Sequence, residues 1–320
     1  MTKFAVENKF VSTWKTDIDD GVLLPTQIGL PLKSSGTYNM LVEWGDGTSD
    51  TITSYSDVKK THTYPSPGTY TVKISGKCEN FGWGGGTGAW KIIGIQNWGP
   101  LEINSSFFLW GCTNLISITA VDKLKLTSNN ISYLTYSPIT SLDCRRWDVS
   151  NQISMSHWFR SYGTLTDLRI DTWDTSNVVN FSRFLHSTRL EGIDLSFLDT
   201  SSAENLSEMF SASNIITPNI DNWNTSNVTN MQGTFQFIAG THTVDLSNWD
   251  ISNVTTMHNL FLGTMWSTEN YDKALISFNN QSHQDDVPLH AGYVGYSSAA
   301  AAARASLVAD GWVITDGGLI

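Results

Sequence analysis

Five short segments of this sequence begin alike and stand at nearly fixed intervals: Trp147-Asp-Val-Ser-Asn, Trp173-Asp-Thr-Ser-Asn-Val, Leu198-Asp-Thr-Ser-Ser-Ala, Trp223-Asn-Thr-Ser-Asn-Val and Trp249-Asp-Ile-Ser-Asn-Val. Their first residues are 26, 25, 25 and 26 positions apart. A repeat of that length is one structural unit that cannot bury its apolar side alone, so neighbouring copies must stack.

With each anchor at position zero, positions −5 and −3 are mostly apolar: Leu142 and Cys144, Leu168 and Ile170, Ile193 and Leu195, Val244 and Leu246. That spacing predicts a short strand with one face inward. Positions +5, +8 and +12 are apolar as well, for example Val178, Phe181 and Leu185, or Val228, Met231 and Phe235. Intervals of three, four and seven predict one face of a helix. Ser at +3 (Ser150, Ser176, Ser201, Ser226, Ser252) is placed to cap it. Asn at +4 (Asn177, Asn227, Asn253) is placed to bond a neighbouring copy or its own turn. Extending the frame backward reaches an anchor at Trp98. The reading is about seven coils in residues 89–265. Past residue 265 the period stops. Tyr271–Phe278 and the Ala-rich stretch from Ser297 to Ala309 read as helices, and Trp312-Val-Ile-Thr315 as a last strand.

The N-terminal 88 residues read differently. Tyr38-Asn-Met-Leu-Val-Glu-Trp44 alternates in part and ends in Gly45-Asp-Gly-Thr48, while Pro67-Gly68 starts a strand in which Tyr70, Val72 and Ile74 share a face. The ordered set Trp44, Gly45, Asp46, Gly47, His62, Tyr64, Gly68 and Tyr70 resembles the polycystic-kidney-disease (PKD) type immunoglobulin-like domain. The resemblance implies a β-sandwich acting as a spacer or adhesion module outside cells. Calcium at Asp46, or at Asp17, Asp19 and Asp20, is the alternative to a solvated turn; the spacing does not fit an EF-hand loop. Phe81-Gly-Trp-Gly-Gly-Gly-Thr-Gly88 reads as a connector, with Trp83 and Trp90 packing at the junction.

The whole chain is similar to the BspA-like leucine-rich-repeat surface proteins. Phe10-Val-Ser-Thr-Trp-Lys-Thr16, Gly111-Cys-Thr-Asn-Leu115, the Trp-Asp-x-Ser-Asn-Val copies and Gly311-Trp-Val-Ile-Thr-Asp-Gly-Gly-Leu319 carry the likeness. Leu198 departs from it, standing where an anchor Trp is expected. The expected fold is therefore an α/β repeat: a PKD-like β-sandwich at 1–88, a leucine-rich-repeat-like solenoid of roughly 25-residue units at 89–265, and an α/β cap at 266–320. The resemblance implies a non-enzymatic, surface-exposed protein that binds host or neighbouring proteins.

Composition narrows the partners. The formal net charge is −11, and the 19 Lys and Arg residues form no run. That argues against nucleic acid and against an anionic membrane surface. No apolar run is long enough to insert in a membrane. Cys78, Cys112 and Cys144 are scattered and suggest neither a disulfide framework nor a zinc site; Cys144 reads as a buried thiol.

No nucleophile elbow, zinc helix or phosphate loop is present, so no catalytic residue, cofactor or metal site is expected. Paired carboxylates on neighbouring coils are the one enzymatic arrangement that the repeat leaves open. The repeated Asp148, Asp174, Asp199 and Asp250 read as turn-formers instead.

The expected function is thus a structural or binding protein on an exterior surface, with a protein or glycan partner on a host or neighbouring surface. The start of the sequence lacks a secretory signal, which favours a phage virion component over a bacterial secreted or cell-surface adhesin. A polysaccharide-degrading enzyme ranks third. Recognition is expected from residues that vary between copies, near Arg160–Thr164, His186–Arg189 and Gln236–His242.

Overall fold

In the computed structural model the described residues are 8–84, 88–104, 106, 108–131, 135, 136, 138–160, 163–216, 218–238, 241, 242 and 244–320. They form two compact units, Met1–Asn151 with Leu168–Ile170, and Gln152–Asp167 with Asp171–Ile320.

The first unit is built on one mixed sheet. Its strands are β1 (Phe10–Lys15), β3 (Tyr38–Glu43), β4 (Ser49–Ile52), β6 (Thr69–Glu79), β7 (Ile92–Asn97), β8 (Leu101–Ile103), β10 (Ser117–Ile118) and β11 (Lys125–Leu126). Alternate residues go inward as the pleat demands: Phe10, Ser12 and Trp14 from β1, and Tyr38, Met40 and Val42 from β3. The long β6 lies antiparallel to both, with Ile74 opposite Phe10 on one side and Val42 on the other. β3 turns into β4 through Gly45, whose φ is +88° and where a Cβ would collide with the carbonyl of Thr71. β7 pairs with the other edge of β1, and β10 lies parallel beyond it. Small pairs accompany the sheet: β2 (Gln27–Gly29) with β5 (Thr61–Thr63), β9 (Leu109–Trp110) with β12 (Thr135–Tyr136), and β13 (Ser141–Asp143) with β14 (Asp167–Arg169), of which Leu168 and Arg169 belong to this unit.

The expected self-contained PKD-like sandwich at 1–88 is not what forms. β7 and β8 come from the stretch read as the first coils, yet they extend the N-terminal sheet through β1 and β6. Trp83 is buried beside Trp14, with ring centroids 5.8 Å apart, whereas Trp90 is half exposed. The three thiols are buried and, among the described residues, none is in a disulfide. Burial raises all of their pKa values, that of Cys78 to about 12.

In the second unit the repeat copies lie side by side. Parallel bridges join Ser154 to Asn180, Asn180 to Asn205, Asn205 to Asn230 and Asn230 to Thr256, all at position +7. From there the backbone amides point sideways. Leu206, Glu208, Phe210 and Ala212 donate to the carbonyls of Asn230, Gln232, Thr234 and Gln236 at 2.8 to 3.1 Å. Met231, Gly233, Phe235 and Phe237 do the same to Thr256, His258, Leu260 and Leu262.

This geometry overturns the α/β leucine-rich-repeat solenoid. The described chain is β-rich, with several separate sheets, and its two α-helices both lie after the last copy. The reason is local. Position +10 is left-handed in every copy (His157, Arg183, Glu208, Gly233 and Asn259, φ +53° to +61°). Position +14 is left-handed at Ser187, Ala212, Phe237 and Gly263. An α-helix cannot pass through such residues. Turns closed by bonds such as Met209 N–H to the Leu206 carbonyl repeat every four residues instead. They put Val228, Met231 and Phe235 inside just as a helix would.

The last copy passes its ladder to the C-terminal segment. Met257 and Phe261 donate to the carbonyls of Pro288 and His290. The elements here are β15 (Thr241–His242) paired with β16 (Met265–Trp266), α1 (Thr268–Asn280), β17 (Pro288–His290), α2 (Ala301–Ala309) and β18 (Val313–Thr315), with β18 parallel to β17. Ser267 caps α1 by accepting from the Asn270 amide.

Candidate functional site

The residues that define the repeat are spent inside it. Trp98 and Trp147 are buried edge-to-face, 5.7 Å apart. Trp173 stacks on Phe159 at 5.8 Å, Leu198 is buried, and Trp223 stacks on Trp249 at 6.2 Å. The indole N–H groups of Trp223 and Trp249 donate to the carbonyls of Leu195 and Ile220 in the preceding copies. Asp148, Asp174, Asn224 and Asp250 accept from the amide of the Ser two residues on, which makes that Ser part of a turn and not a helix cap. At +4, Ser202, Asn227 and Asn253 donate to the carbonyls of Ser176, Ser201 and Ser226 one copy back.

The N-terminal motif is equally internal. Trp44 donates to Asp50, and its ring stacks on His62 at 4.6 Å. His62 Nε2 lies 2.8 Å from Asp46. Burial acts to raise the Asp46 pKa, but the hydrogen bonds from Thr48 and His62 outweigh it and hold the carboxyl down to about 2. Tyr64 donates to the Trp44 carbonyl and stacks on Tyr70. Gly68 donates to Thr16, and Gly47, like Gly45, is left-handed. Asp20, weighed above for calcium, accepts from the amides of Leu23 and Gly88. Nearby the fully buried Lys91 ammonium donates to the carbonyls of Thr16 and Leu24, 2.8 Å each.

The side chains at +9, +10, +13 and +14 lie along one face of the second unit, exposed at Gln232, His258, Ala212 and Phe237, and there the copies differ. Ser156, Ser182, Ser207, Gln232 and His258 occupy +9. At +10, Arg183 reaches Glu208 with two hydrogen bonds, 2.9 Å from Nε and 2.6 Å from Nη2, and its Nη1 lies 3.3 Å from His157. Burial, then the charges of Arg183 and Arg160, push the His157 imidazole down to about 4. Burial also lowers His186, while the Arg183 hydrogen bonds lower Glu208.

Beside this cluster is a cleft of about 500 Å³ lined by Gly163, Ser187–Arg189, Glu191 and Ala212–Asn214. Asn214 Nδ2 donates to Glu191 Oε1 at 2.6 Å. Arg189 is exposed and lies against Gly163. The variable stretch His186–Arg189 thus supplies much of the wall. Gly163 comes from the Arg160–Thr164 stretch, of which 161 and 162 lie outside the described residues. Of the third stretch, Gln236–His242, residues 239 and 240 lie outside them too. Glu191, Ser213 and Asn214 were not singled out from the sequence, because nothing in the repeat marks them.

Among the described residues no cluster of His, Cys, Asp and Glu is arranged to hold a metal ion, and no helix is long and apolar enough to cross a membrane. The face and the cleft beside it can offer hydrogen bonds, the guanidinium of Arg189 and apolar contact. No curated protein and no solved structure matches the chain. Residues 129–238 and 182–287, which carry the copies, match the family described as "Mycoplasma protein of unknown function, DUF285", and this stretch of the chain is similar to that family.

Proposed function

We propose that this chain is a non-enzymatic binding protein displayed on an exterior surface, where the side chains that differ between its repeat copies contact a protein or glycan partner. One observation carries the reading. Residues shared by the copies (the anchors, the +1 Asx, the +4 amides) bond within the backbone ladder, while variation gathers on an outward face with a cleft. Variable side chains on a regular support suit recognition. The similarity to a Mycoplasma protein family of unknown function, together with the resemblance to BspA-like surface proteins, supports an exterior location.

Immunogold labelling of intact cells and of intact virions, with an antibody against this chain, tests the location. Labelled cells support a cell-surface adhesin and labelled particles a virion component. Label that appears only after lysis, in both samples, would sink the exterior reading.

A further inference from the structure

Phe237 occupies a position that folding alone does not explain. It stands at +14 with φ +54°, a backbone state that penalises a bulky side chain. The equivalent residues are Ser187, Ala212 and Gly263. Its ring lies over Gly263, where a Cβ would collide with it, and the residue is 55 % exposed. A strained, exposed aromatic residue points to a function for the ring.

The surroundings say what the ring would meet. Ser187, Ala212 and Phe237 are successive members of one row, joined through the amide ladder at +14. Neighbouring copies sit about 4.8 Å apart, as hydrogen-bonded strands do. The cleft opens beside Ser187 and Ala212. An elongated molecule on this row therefore spans an open aromatic face, a strip of small residues and a polar cleft. Arg189 there has no carboxylate partner among the described residues, while Asn214 and Glu191 present an amide and a carboxylate as donor and acceptor.

We propose that the row binds a carboxylate-bearing glycan. One sugar stacks its apolar C–H face on Phe237, and an acidic sugar two copies away pairs its carboxylate with Arg189. The aromatic face carries the negative side of the ring quadrupole and attracts C–H groups. The guanidinium matches a carboxylate in shape and charge. Asn214 and Glu191 meet the hydroxyl rim. A flat ring with one apolar face and a polar edge fits this order of groups. This rests on the proposed binding role and names its partner class.

Calorimetric titration with three probes tests it: a hyaluronan hexasaccharide, which alternates uronate with N-acetylhexosamine; chitohexaose, which is uncharged; and hexaglutamate, which has carboxylates without sugar rings. The hyaluronan probe is expected to bind at least about tenfold more tightly than either of the others. Phe237→Gly and Arg189→Gln should each weaken it at least about tenfold, and Phe237→Gly should leave the melting temperature unchanged or raised. Equal binding of hexaglutamate, full affinity in Phe237→Gly, or no binding of hyaluronan would each overturn the proposal. Surface labelling of cells or virions by a chain that ignores hyaluronan would leave the exterior binding role standing and remove the glycan assignment.

Discussion

Arg183 and Glu208 hold one another through two hydrogen bonds while both have left-handed backbone, one copy apart at the same repeat position. His157 completes the row on the other side of Arg183, at 3.3 Å, with its Nδ1 2.7 Å from the Ser156 hydroxyl. The imidazole sits beside a fixed cation and is largely buried, so the fold favours its neutral form.

That arrangement sets a pH dependence. The folded pKa of His157 is about 4, below its ordinary 6.5. Between these values the unfolded chain binds more protons than the folded one, so stability falls as pH drops through that window and levels off below it. Glu208, whose pKa is also lowered, acts in the same direction below about 4.5. Urea unfolding at pH 7.5, 5.5 and 4.5 should show the decline, with His157 contributing on the order of 2 kcal/mol. His157→Asn tolerates the positive φ and should flatten the slope. An unchanged slope in the variant would place the titration elsewhere.

The left-handed rows give a second prediction, with a sign that separates this fold from a helical one. Ala212 has φ +57° and an exposed side chain. Ala212→Gly should stabilise the protein by about 1 kcal/mol, because glycine carries no Cβ penalty there. In a helix the same change would cost about 1 kcal/mol. Gly263→Ala should destabilise, since its Cβ meets both a φ of +71° and the Phe237 ring. Thermal melts of the two variants decide it.

These rows also mark where the sequence stops being legible. The inward residues could be read from spacing, and Val228, Met231, Phe235 and their counterparts are indeed buried. The backbone that carries them could not. A four-residue turn and a 3.6-residue helix give the same apolar intervals over one repeat. The residues at +10 are His, Arg, Glu, Gly and Asn, of which only Gly233 and Asn259 hint at positive φ. In the first unit the turn at Gly45 was legible, but not the pairing of β1 with β7, which depends on register between distant stretches. At the cleft, Arg189 stood out by differing from its repeat mates, whereas Asn214 became relevant only beside Glu191.

A third prediction concerns the threonines at +2. Thr175, Thr200 and Thr225 are buried, and each donates its hydroxyl at 2.9 Å to a carbonyl of the next copy: Asp199, Asn224 and Asp250. Val149 and Ile251 hold the same position in other copies, so the site accepts an apolar branched side chain. Thr225→Val keeps shape and loses one hydrogen bond, which should cost about 1 kcal/mol. A double change of Thr200 and Thr225 should exceed the sum of the single losses if the ladder acts cooperatively. Guanidinium unfolding of the two singles and the double measures that coupling; strict additivity would show independent bonds.

The C-terminal segment offers the last test. The Asp316 side chain is almost fully buried and accepts from the Tyr271 hydroxyl and from Arg304 Nε, each at 2.7 Å. It joins α1, α2 and the stretch after β18 in one network, with Arg304 also lying over the Tyr296 ring at 4.9 Å. Asp316→Ala removes the shared acceptor and leaves a phenol and a guanidinium without it. The expected cost is about 3 kcal/mol, at the lower end for a broken buried pair because Arg304 keeps some access to water. Asp316→Asn keeps an acceptor oxygen and should lose roughly half as much. Because the ladder of the last copy ends on Pro288 and His290, loosening should begin there. Hydrogen exchange in Asp316→Ala is therefore expected to rise first at the amides of Met257 and Phe261, with those of Leu206 and Phe210 still protected. Simultaneous loss of protection across all the copies would show that the second unit opens as one body and that this network does not guard its end.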